Sequence, residues 1–320
     1  MVSRLSAIPD LQVIENAPLS RYTRFEIGGP ARFLANVSCE SALAEALRIS
    51  ADHELRHTLI GGGTNLIVDD SGFPGLVLRY TASAMDVDGR RVRVEAGAVL
   101  QDLVDRTVDL GLRGLETMTG IPGWVGGAIY GNAGAYGHAI RECIESVRFF
   151  DGRAIREFDR ESCEFGYRES IFKRHKDWIV LAAHMCFEAS DSAELRTTAD
   201  GILKIRNEKY PPTMRCAGSI FKNLMLADLP EPIRAKVPER VIREGKVPAA
   251  YFLEQAGAKG MSAGGIRVAD YHANLVYNTG SGTSAELRLV IENLKTRVRD
   301  RFGVQLEEEV QYVGEGMFST

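Results

Sequence analysis

Apolar and polar positions along the chain follow two rhythms, and its elements change where one gives way to the other. Within residues 40–53, Leu43, Leu47 and Ile49 fall at helical spacing with no breaker, which predicts a short amphipathic helix. Residues 99–110 repeat the rhythm with Leu100, Leu103, Val104 and Val108, and Gly111 stands where a helix end takes a left-handed residue. Strict alternation at Arg91-Val92-Arg93-Val94-Glu95 predicts a strand. Apolar runs on both sides of Gly61-Gly62-Gly63, within residues 57–68, predict a pair of strands joined by a tight turn. Residues 146–150 and 154–158 flank Asp151-Gly152, the dipeptide of a type I′ hairpin, and residues 178–187 extend the same sheet.

Residues 191–207 form a further predicted helix, with Asp191 and Glu194 as a capping box. Lys209-Tyr210-Pro211-Pro212 stops it, because proline lacks the N–H that would continue the ladder. The main domain boundary falls here. In the last third, residues 215–223 contain a short strand with Ser219 after Gly218, residues 230–247 are rich in charge and proline and predict a surface excursion, and residues 256–260 and 264–265 are turns. Two strands follow, at 266–269 and 273–277. Thr283 and Glu286 box the start of a long helix whose apolar stripe is Leu287, Val290, Ile291, Leu294, Val298 and Phe302, and Gly303 ends it. A return strand is expected over 304–312, bearing Glu307, Glu308 and Glu309. The fold class is α+β, with no internal repeat.

Composition narrows the function more than the fold. The chain is 45% apolar and 26% charged, as soluble globular proteins are, and its net charge of −4 gives no footprint for nucleic acid. An anionic ligand must therefore be held by local arginine or lysine. The five cysteines, Cys39, Cys143, Cys163, Cys186 and Cys216, have neither zinc nor disulfide spacing and read as structural thiols in a reducing cytoplasm. Histidines at 53, 57, 138, 175, 184 and 272 form no metal pattern. The first residues lack a signal peptide's apolar region and no apolar run approaches a membrane span, so a soluble cytoplasmic protein without membrane association is expected.

The densest chemical signal is residues 111–137, which hold nine glycines. At this density the absent side chains predict close approach of a large flat ligand, its phosphates resting on the N–H groups of Gly126, Gly127, Gly131, Gly134 and Gly137. No G-x-G-x-x-G opens a helix with an acidic residue about 20 positions on, and no G-K-[ST] is present, so neither a Rossmann nucleotide fold nor a P-loop is indicated.

Seven blocks carry a family resemblance. They are Phe25-Glu26-Ile27-Gly28-Gly29-Pro30-Ala31, Gly61-Gly62-Gly63-Thr64-Asn65-Leu66, Gly120-Ile121-Pro122-Gly123-Trp124-Val125-Gly126-Gly127-Ala128, Asn132-Ala133-Gly134-Ala135-Tyr136-Gly137, Tyr167-Arg168-Glu169-Ser170, Ala217-Gly218-Ser219-Ile220-Phe221-Lys222-Asn223 and Leu306-Glu307-Glu308-Glu309-Val310. In this order the chain resembles the UDP-N-acetylenolpyruvoylglucosamine reductase (MurB) family, and specifically the subtype without an extended tyrosine-bearing loop. The resemblance implies a two-subdomain FAD-binding module of the vanillyl-alcohol-oxidase (PCMH) type, residues 1–80 and 81–207, followed by an α+β substrate-binding domain, residues 208–320. It implies non-covalent FAD, NADPH as hydride donor, a UDP-sugar substrate, peptidoglycan synthesis in a bacterial cytoplasm, and no obligate protein partner.

It also assigns roles. Ser219 is the proton donor, Arg168 holds the substrate carboxylate and Glu309 donates to it as charge develops. Taken alone, these three read as a turn serine, a strand-end charge and a solvated carboxylate. Gly61, Gly62, Gly63, Thr64, Asn65 and Leu66, with Gly120, Ile121, Pro122, Gly123, Gly126, Gly127, Ala128, Asn132, Gly134, Ala135, Tyr136 and Gly137, form the FAD bed, and Arg206 is a phosphate neighbour. Tyr167, Lys209, Lys222 and Asn223 are assigned to the UDP-sugar, while Glu307 and Glu308 are left as solvated charges and His272 and Asn274 as a buried structural pair. Leu224, where the family has proline, predicts a looser loop after Ser219.

Overall fold

A computed structural model describes residues 2–314. The chain divides into two compact units. The first takes the chain up to Ala17, then Ala31–Gly63 and Pro74–Glu208, and the second takes Pro18–Pro30, Thr64–Phe73 and the chain from Lys209 onward.

Two larger sheets frame the first unit, beside two short two-stranded pairings. One orders Leu11–Pro18, Pro30–Val37, Phe73–Tyr80 and His57–Leu59, and the other Ile155–Asp159, Ile144–Phe150, Ile179–Cys186, Arg91–Glu95 and Met85–Asp88. Helix Glu40–Asp52 buries Leu43, Leu47 and Ile49, and helix Leu100–Asp109 buries Leu100, Leu103, Val104 and Val108, the stripes expected from their spacing. Gly111 follows at φ +66°, in the left-handed region that a Cβ disfavours. Around Phe149 an aromatic cluster closes the core: Phe158 and Phe172 meet it edge-on and Trp178 stacks on it at 4.8 Å.

In the second unit Arg215–Ser219, Leu275–Asn278, Ile266–Val268 and Ser262–Ala263 form an antiparallel sheet, with Leu66–Val68 paired in parallel to Gln311–Val313. Helix Ser284–Phe302 buries Leu287, Val290, Ile291, Leu294 and Val298. Its start carries the Thr283/Glu286 capping box, and its end has Gly303 at φ +65°. A third group, Asp70, adds carboxylate acceptors for the N–H of Ser284 (2.9 Å) and Ala285 (3.2 Å). Two N-terminal donors of a 19-residue helix thus depend on a residue over 200 positions away. Asp70→Ala should cost about 1–2 kcal/mol, read as a lower urea midpoint. An unchanged midpoint would show that water satisfies those donors equally well.

Several local expectations change. The strands flanking Gly61-Gly62-Gly63 do not pair with each other: His57–Leu59 runs parallel to Phe73–Tyr80, and Leu66–Val68 joins Gln311–Val313. The glycines pass the chain from one sheet to another. At Asp151-Gly152 the loop spans four residues, 151–154, and only Gly152 has positive φ. The Asp151 carboxylate accepts from the N–H of Arg153 and Ala154, which favours this wider turn over a two-residue one. A turn with both central residues at positive φ, as type I′ requires, lies instead at Tyr136 (φ +53°) and Gly137 (φ +86°), closing the pairing of Gly134–Ala135 with His138–Ala139.

The expected strand over 304–312 is largely irregular, reduced to a single bridge at Glu308 and the short strand Gln311–Val313. Residues 230–247 are not a free excursion either. Leu224–Met225 pairs with Lys246–Val247, and Leu229, Val237 and Val247 are buried, so the loop is closed at its neck and anchored along its length.

Candidate active site

The glycine run has two physical causes, only one of them anticipated. At Gly126 a Cβ would lie 2.9 Å from the Ala96 side chain, at Gly62 it would lie 3.3 Å from Gly123 and Trp124, and at Gly134 only 2.4 Å from the His138 carbonyl. These positions lack a side chain because protein already fills the space. At Gly127 a Cβ would meet nothing within 4 Å, and at Gly61 it would meet only the Trp124 ring at 3.9 Å. Here the backbone is bare and open to a ligand. The start of helix Val125–Tyr130 is tied in by Gly126 N–H to Ala96 O (2.8 Å), Val125 N–H to Ala98 O (2.9 Å) and Leu100 N–H to Gly123 O (2.9 Å).

Just ahead, Thr117 and Thr119 are buried, and their hydroxyls have no hydrogen-bond partner among the described residues. Unsatisfied buried hydroxyls cost about 1–3 kcal/mol each, and a polar ligand at this run would offset that. Arg206 lies over Gly120, its Cδ and Nε 3.3 Å from the position of a Cβ there. Arg168 reaches the same run: its guanidinium donates to the Gly134 carbonyl at 2.7 Å and lies 5.3 Å from the Tyr167 ring. Asn132 (φ +41°) and Arg168 (φ +57°) hold left-handed backbone, which an asparagine tolerates and an arginine disfavours. Each is fastened locally, Asn132 Nδ2 to the Gly166 carbonyl (2.7 Å) and the Arg168 carbonyl to Lys173 Nζ (2.9 Å).

The second unit builds a separate constellation. Ser219 ends the strand Arg215–Ser219, just past a slip in register and next to Gly218 at φ +75°. The segment after it runs beside residues 307–309: Lys222 N–H donates to Glu307 O (2.9 Å), Glu309 N–H to Ile220 O (2.7 Å), and Phe221 bridges Glu308. Asn65 joins from the other side, its Nδ2 donating to the Glu309 carbonyl (3.0 Å) and its own carbonyl accepting from Gln311 (2.9 Å). Lys222, Glu309 and Asn65 therefore share one short ladder, and Ser219 immediately precedes it in the chain while pairing with Leu275. Leu66 follows Asn65 into the strand paired with Gln311–Val313, and Asn223 Oδ1 accepts from Ala249 N–H at 3.4 Å.

Glu307 is solvent-exposed as expected, though it also pairs with the buried Lys222 ammonium. Glu308 is not the solvated charge expected of it: it is largely covered and accepts from Lys295 and from the Tyr312 hydroxyl. The outer carboxylates thus fix the backbone on which Glu309 sits. Asn274 is buried as expected and does more: its side chain holds both the N–H and the carbonyl of Phe221 at 2.9 Å, replacing a missing strand partner. His272 accepts from Asn274 N–H at 3.2 Å, and burial, aided by the Lys209 charge, pushes its imidazole down to about 4.

Tyr210 escaped the reading of the chain, where it figures only as part of a helix stop. Its hydroxyl lies 3.1 Å from Ser219 Oγ. Beside it the Lys209 ammonium sits 5.1 Å from the ring centre, and Tyr271 donates to the Lys209 carbonyl. Nothing in spacing or periodicity connects a tyrosine to a serine across two prolines.

Among the described residues no three metal-ligating side chains gather, and no helix is long and apolar enough to cross a membrane. All five cysteines are free, and burial pushes the Cys143 and Cys163 thiols up to about 12, which keeps them unreactive.

Comparison with known proteins fits this division of chemistry. A family model described as an FAD binding domain matches residues 31–155, and one described as UDP-N-acetylenolpyruvoylglucosamine reductase, C-terminal domain, matches residues 210–313. The UDP-N-acetylenolpyruvoylglucosamine reductase of Solibacter usitatus is 59% identical over 97% of this chain and 100% of its own length. The chain belongs to the UDP-N-acetylenolpyruvoylglucosamine reductase family. That of Rubrobacter xylanophilus is 38% identical over 93% of this chain and 94% of its own. The crystal structure of the reductase from Thermus caldophilus superposes with a TM-score of 0.73 at 27% identity, covering 95% of this chain and 99% of that one. In reductase terms, the open glycines and orphaned threonines lie within the FAD-binding match, and Ser219, Lys222 and Glu309 within the C-terminal one.

Proposed function

We propose that this chain reduces UDP-N-acetylglucosamine enolpyruvate to UDP-N-acetylmuramate with NADPH, through non-covalently bound FAD, as a step in making peptidoglycan precursors. NADPH and nucleotide sugars are intracellular reagents, which supports a cytoplasmic setting. The observation that carries the reading is the ladder joining residues 220–222 to 307–309, because it pairs the backbone that bears Lys222 with the backbone that bears Glu309, directly after Ser219 in the chain.

The residues present fit FAD. Gly61 and Gly127 leave bare backbone, and Thr117 and Thr119 offer buried hydroxyls without partners among the described residues. When bound, FAD accepts hydride from NADPH and delivers it to the enolpyruvyl carbon, chemistry that no side chain supplies. The remaining work belongs to the chain. Gly120, Ile121, Pro122, Gly123, Gly126, Ala128, Gly134, Ala135, Tyr136 and Gly137 shape the bed, with Gly62, Gly63, Thr64, Asn65, Leu66 and Asn132 beside it, and Arg206 neutralises phosphate.

Hydride addition leaves negative charge on the substrate, at C2 and its carboxylate. Arg168 presents a planar fork that holds a carboxylate, and its left-handed backbone and bond to Gly134 limit where the fork points. Ser219 supplies the C2 proton. Glu309, in its protonated form, donates to the carboxylate as charge moves onto it, its backbone held by Ile220 and Asn65. Lys209, with Tyr167, Lys222 and Asn223, holds the UDP-sugar, where a cation is needed against the diphosphate. We divide the chain into FAD-binding parts at 1–80 and 81–207 and a substrate part at 208–320.

The test follows oxidised-flavin absorbance in FAD-loaded protein without oxygen. Bleaching by NADPH and recovery on adding UDP-N-acetylglucosamine enolpyruvate is the expected result. Bleaching without recovery would leave a flavoprotein with a different electron acceptor, and the proposed substrate would be wrong.

A further inference from the structure

A serine hydroxyl is a poor acid, and giving its proton to carbon would leave an alkoxide. A phenol, with an unperturbed pKa of about 10, loses its proton far more readily than a hydroxyl of water-like acidity, about 15.7. The second unit places such a phenol at hydrogen-bond distance, with Tyr210 Oη 3.1 Å from Ser219 Oγ. Each oxygen can donate and accept, so a proton can pass along the pair without either side chain leaving its place.

Tyr210 is held on several sides. Helix Ser192–Lys209 ends immediately before it, Pro211 and Pro212 restrict the backbone after it, and Tyr271 donates to the carbonyl of Lys209 at 3.1 Å. The Lys209 ammonium lies 5.1 Å from its ring centre, a positive charge close to where negative charge gathers when the phenol gives up its proton. His272 lies with its ring centre 6.0 Å away, and its Nδ1 is engaged by Asn274 N–H. Ser219 is pinned too: Ile220 N–H donates to Asn274 O at 3.1 Å, and Phe221 is held by the Asn274 side chain.

We propose that Tyr210 is a positioning residue that hands its phenolic proton to Ser219 Oγ as Ser219 gives its own to the substrate's C2. The inference rests on Ser219 being the proton donor. As the C2–H bond forms, the Ser219 O–H bond breaks and is remade with the Tyr210 proton. The charge left on the Tyr210 oxygen is cancelled by a proton from water before the next turnover. Both electrons reach the substrate with the hydride, so the relay needs no further reductant.

The experiment compares wild type, Tyr210→Phe and Ser219→Ala holoenzymes, following flavin bleaching by NADPH and reoxidation by the enolpyruvyl sugar anaerobically. For Tyr210→Phe the expected result is normal bleaching, reoxidation slowed about tenfold or more, and an unchanged sugar concentration for half-maximal rate. The reoxidation rate is also measured against the deuterium fraction of the water. Two protons in flight give a bowed dependence in the wild type, and Tyr210→Phe makes it straight. Wild-type reoxidation rates in Tyr210→Phe alongside a slow Ser219→Ala would overturn the relay and leave Ser219 as donor. Wild-type rates in both variants would overturn both assignments. A change only in the half-saturating sugar concentration would make Tyr210 a binding residue instead. If Tyr210→Phe does not fold, the wild-type dependence alone decides: a straight line overturns the proposal.

Discussion

Ser219→Ala leaves NADPH bleaching of the flavin intact and slows its reoxidation by the enolpyruvyl sugar by about 10²–10⁴-fold, the range lost when a positioned general acid is removed. That corresponds to about 3–5 kcal/mol of barrier. The substitution suits the question because it deletes one oxygen and little else. The neighbouring backbone is set by Gly218, whose conformation needs no help from the serine, and by Asn274, which holds Ile220 and Phe221. Lys222 and Glu309 keep their backbone partners across the ladder. The loss should therefore appear in the rate of the second half-reaction, not in FAD content or in the first. Reoxidation of Ser219→Ala by the sugar at the wild-type rate would remove Ser219 from the chemistry.

Acidification is expected to weaken the second unit before the carboxylates titrate. Burial holds His272 at about 4, whereas the unfolded imidazole takes up its proton near 6.5. Between these values the unfolded chain binds a proton that the folded chain refuses. Stability is therefore full above about pH 6.5 and is lost as pH falls toward 4, by about 2 kcal/mol at pH 5 and about 3 kcal/mol at the limit. His57 in the first unit is likewise lowered by burial and adds a change of the same sign. Carboxylates held low, such as Asp151 at about 2, give up their contribution only at more acidic pH. Urea unfolding of wild type and His272→Gln at pH 7 and pH 5 separates the terms: the wild type should lose about 2 kcal/mol more than the variant. Equal losses would mean that His272 is protonated in the folded protein at pH 5.

The four longest helices were legible from the chain because their signal is local, most completely where one segment carries an apolar stripe, a cap and a stop, as at Thr283, Glu286 and Gly303. The short helices Val125–Tyr130 and Ala249–Gln255 have no side-chain cap and were not expected. What failed was information about partners. Period-two spacing at residues 304–312 resembled a strand, yet the backbone there bridges only at Glu308 before Gln311–Val313, and its charges are claimed by Lys222 and Lys295. Asp151-Gly152 resembled a two-residue turn until the aspartate's own carboxylate competed for the backbone. Glycine density revealed that something comes close to the main chain, without distinguishing Gly126, crowded by Ala96, from Gly127, which faces open space. In the candidate site the motifs nominated Ser219, Arg168 and Glu309, while spacing alone would have left all three as ordinary residues. Tyr210 and Asn274 act through neighbours that only the folded chain supplies.

The division of the chain also matters while the protein is being made. The first unit is complete once Glu208 has left the ribosome, but by then the second consists of only two short stretches, Pro18–Pro30 and Thr64–Phe73. Phe25, Ile27 and Ile67, all destined for the second unit's core, must wait uncovered until the C-terminal third arrives. That interval is when a nascent chain is most exposed to aggregation and most in need of a chaperone. It also means that a gene fragment cut at residue 208 would encode a stable-looking half carrying orphaned apolar loops, and that the remaining third would lack three of its own core side chains.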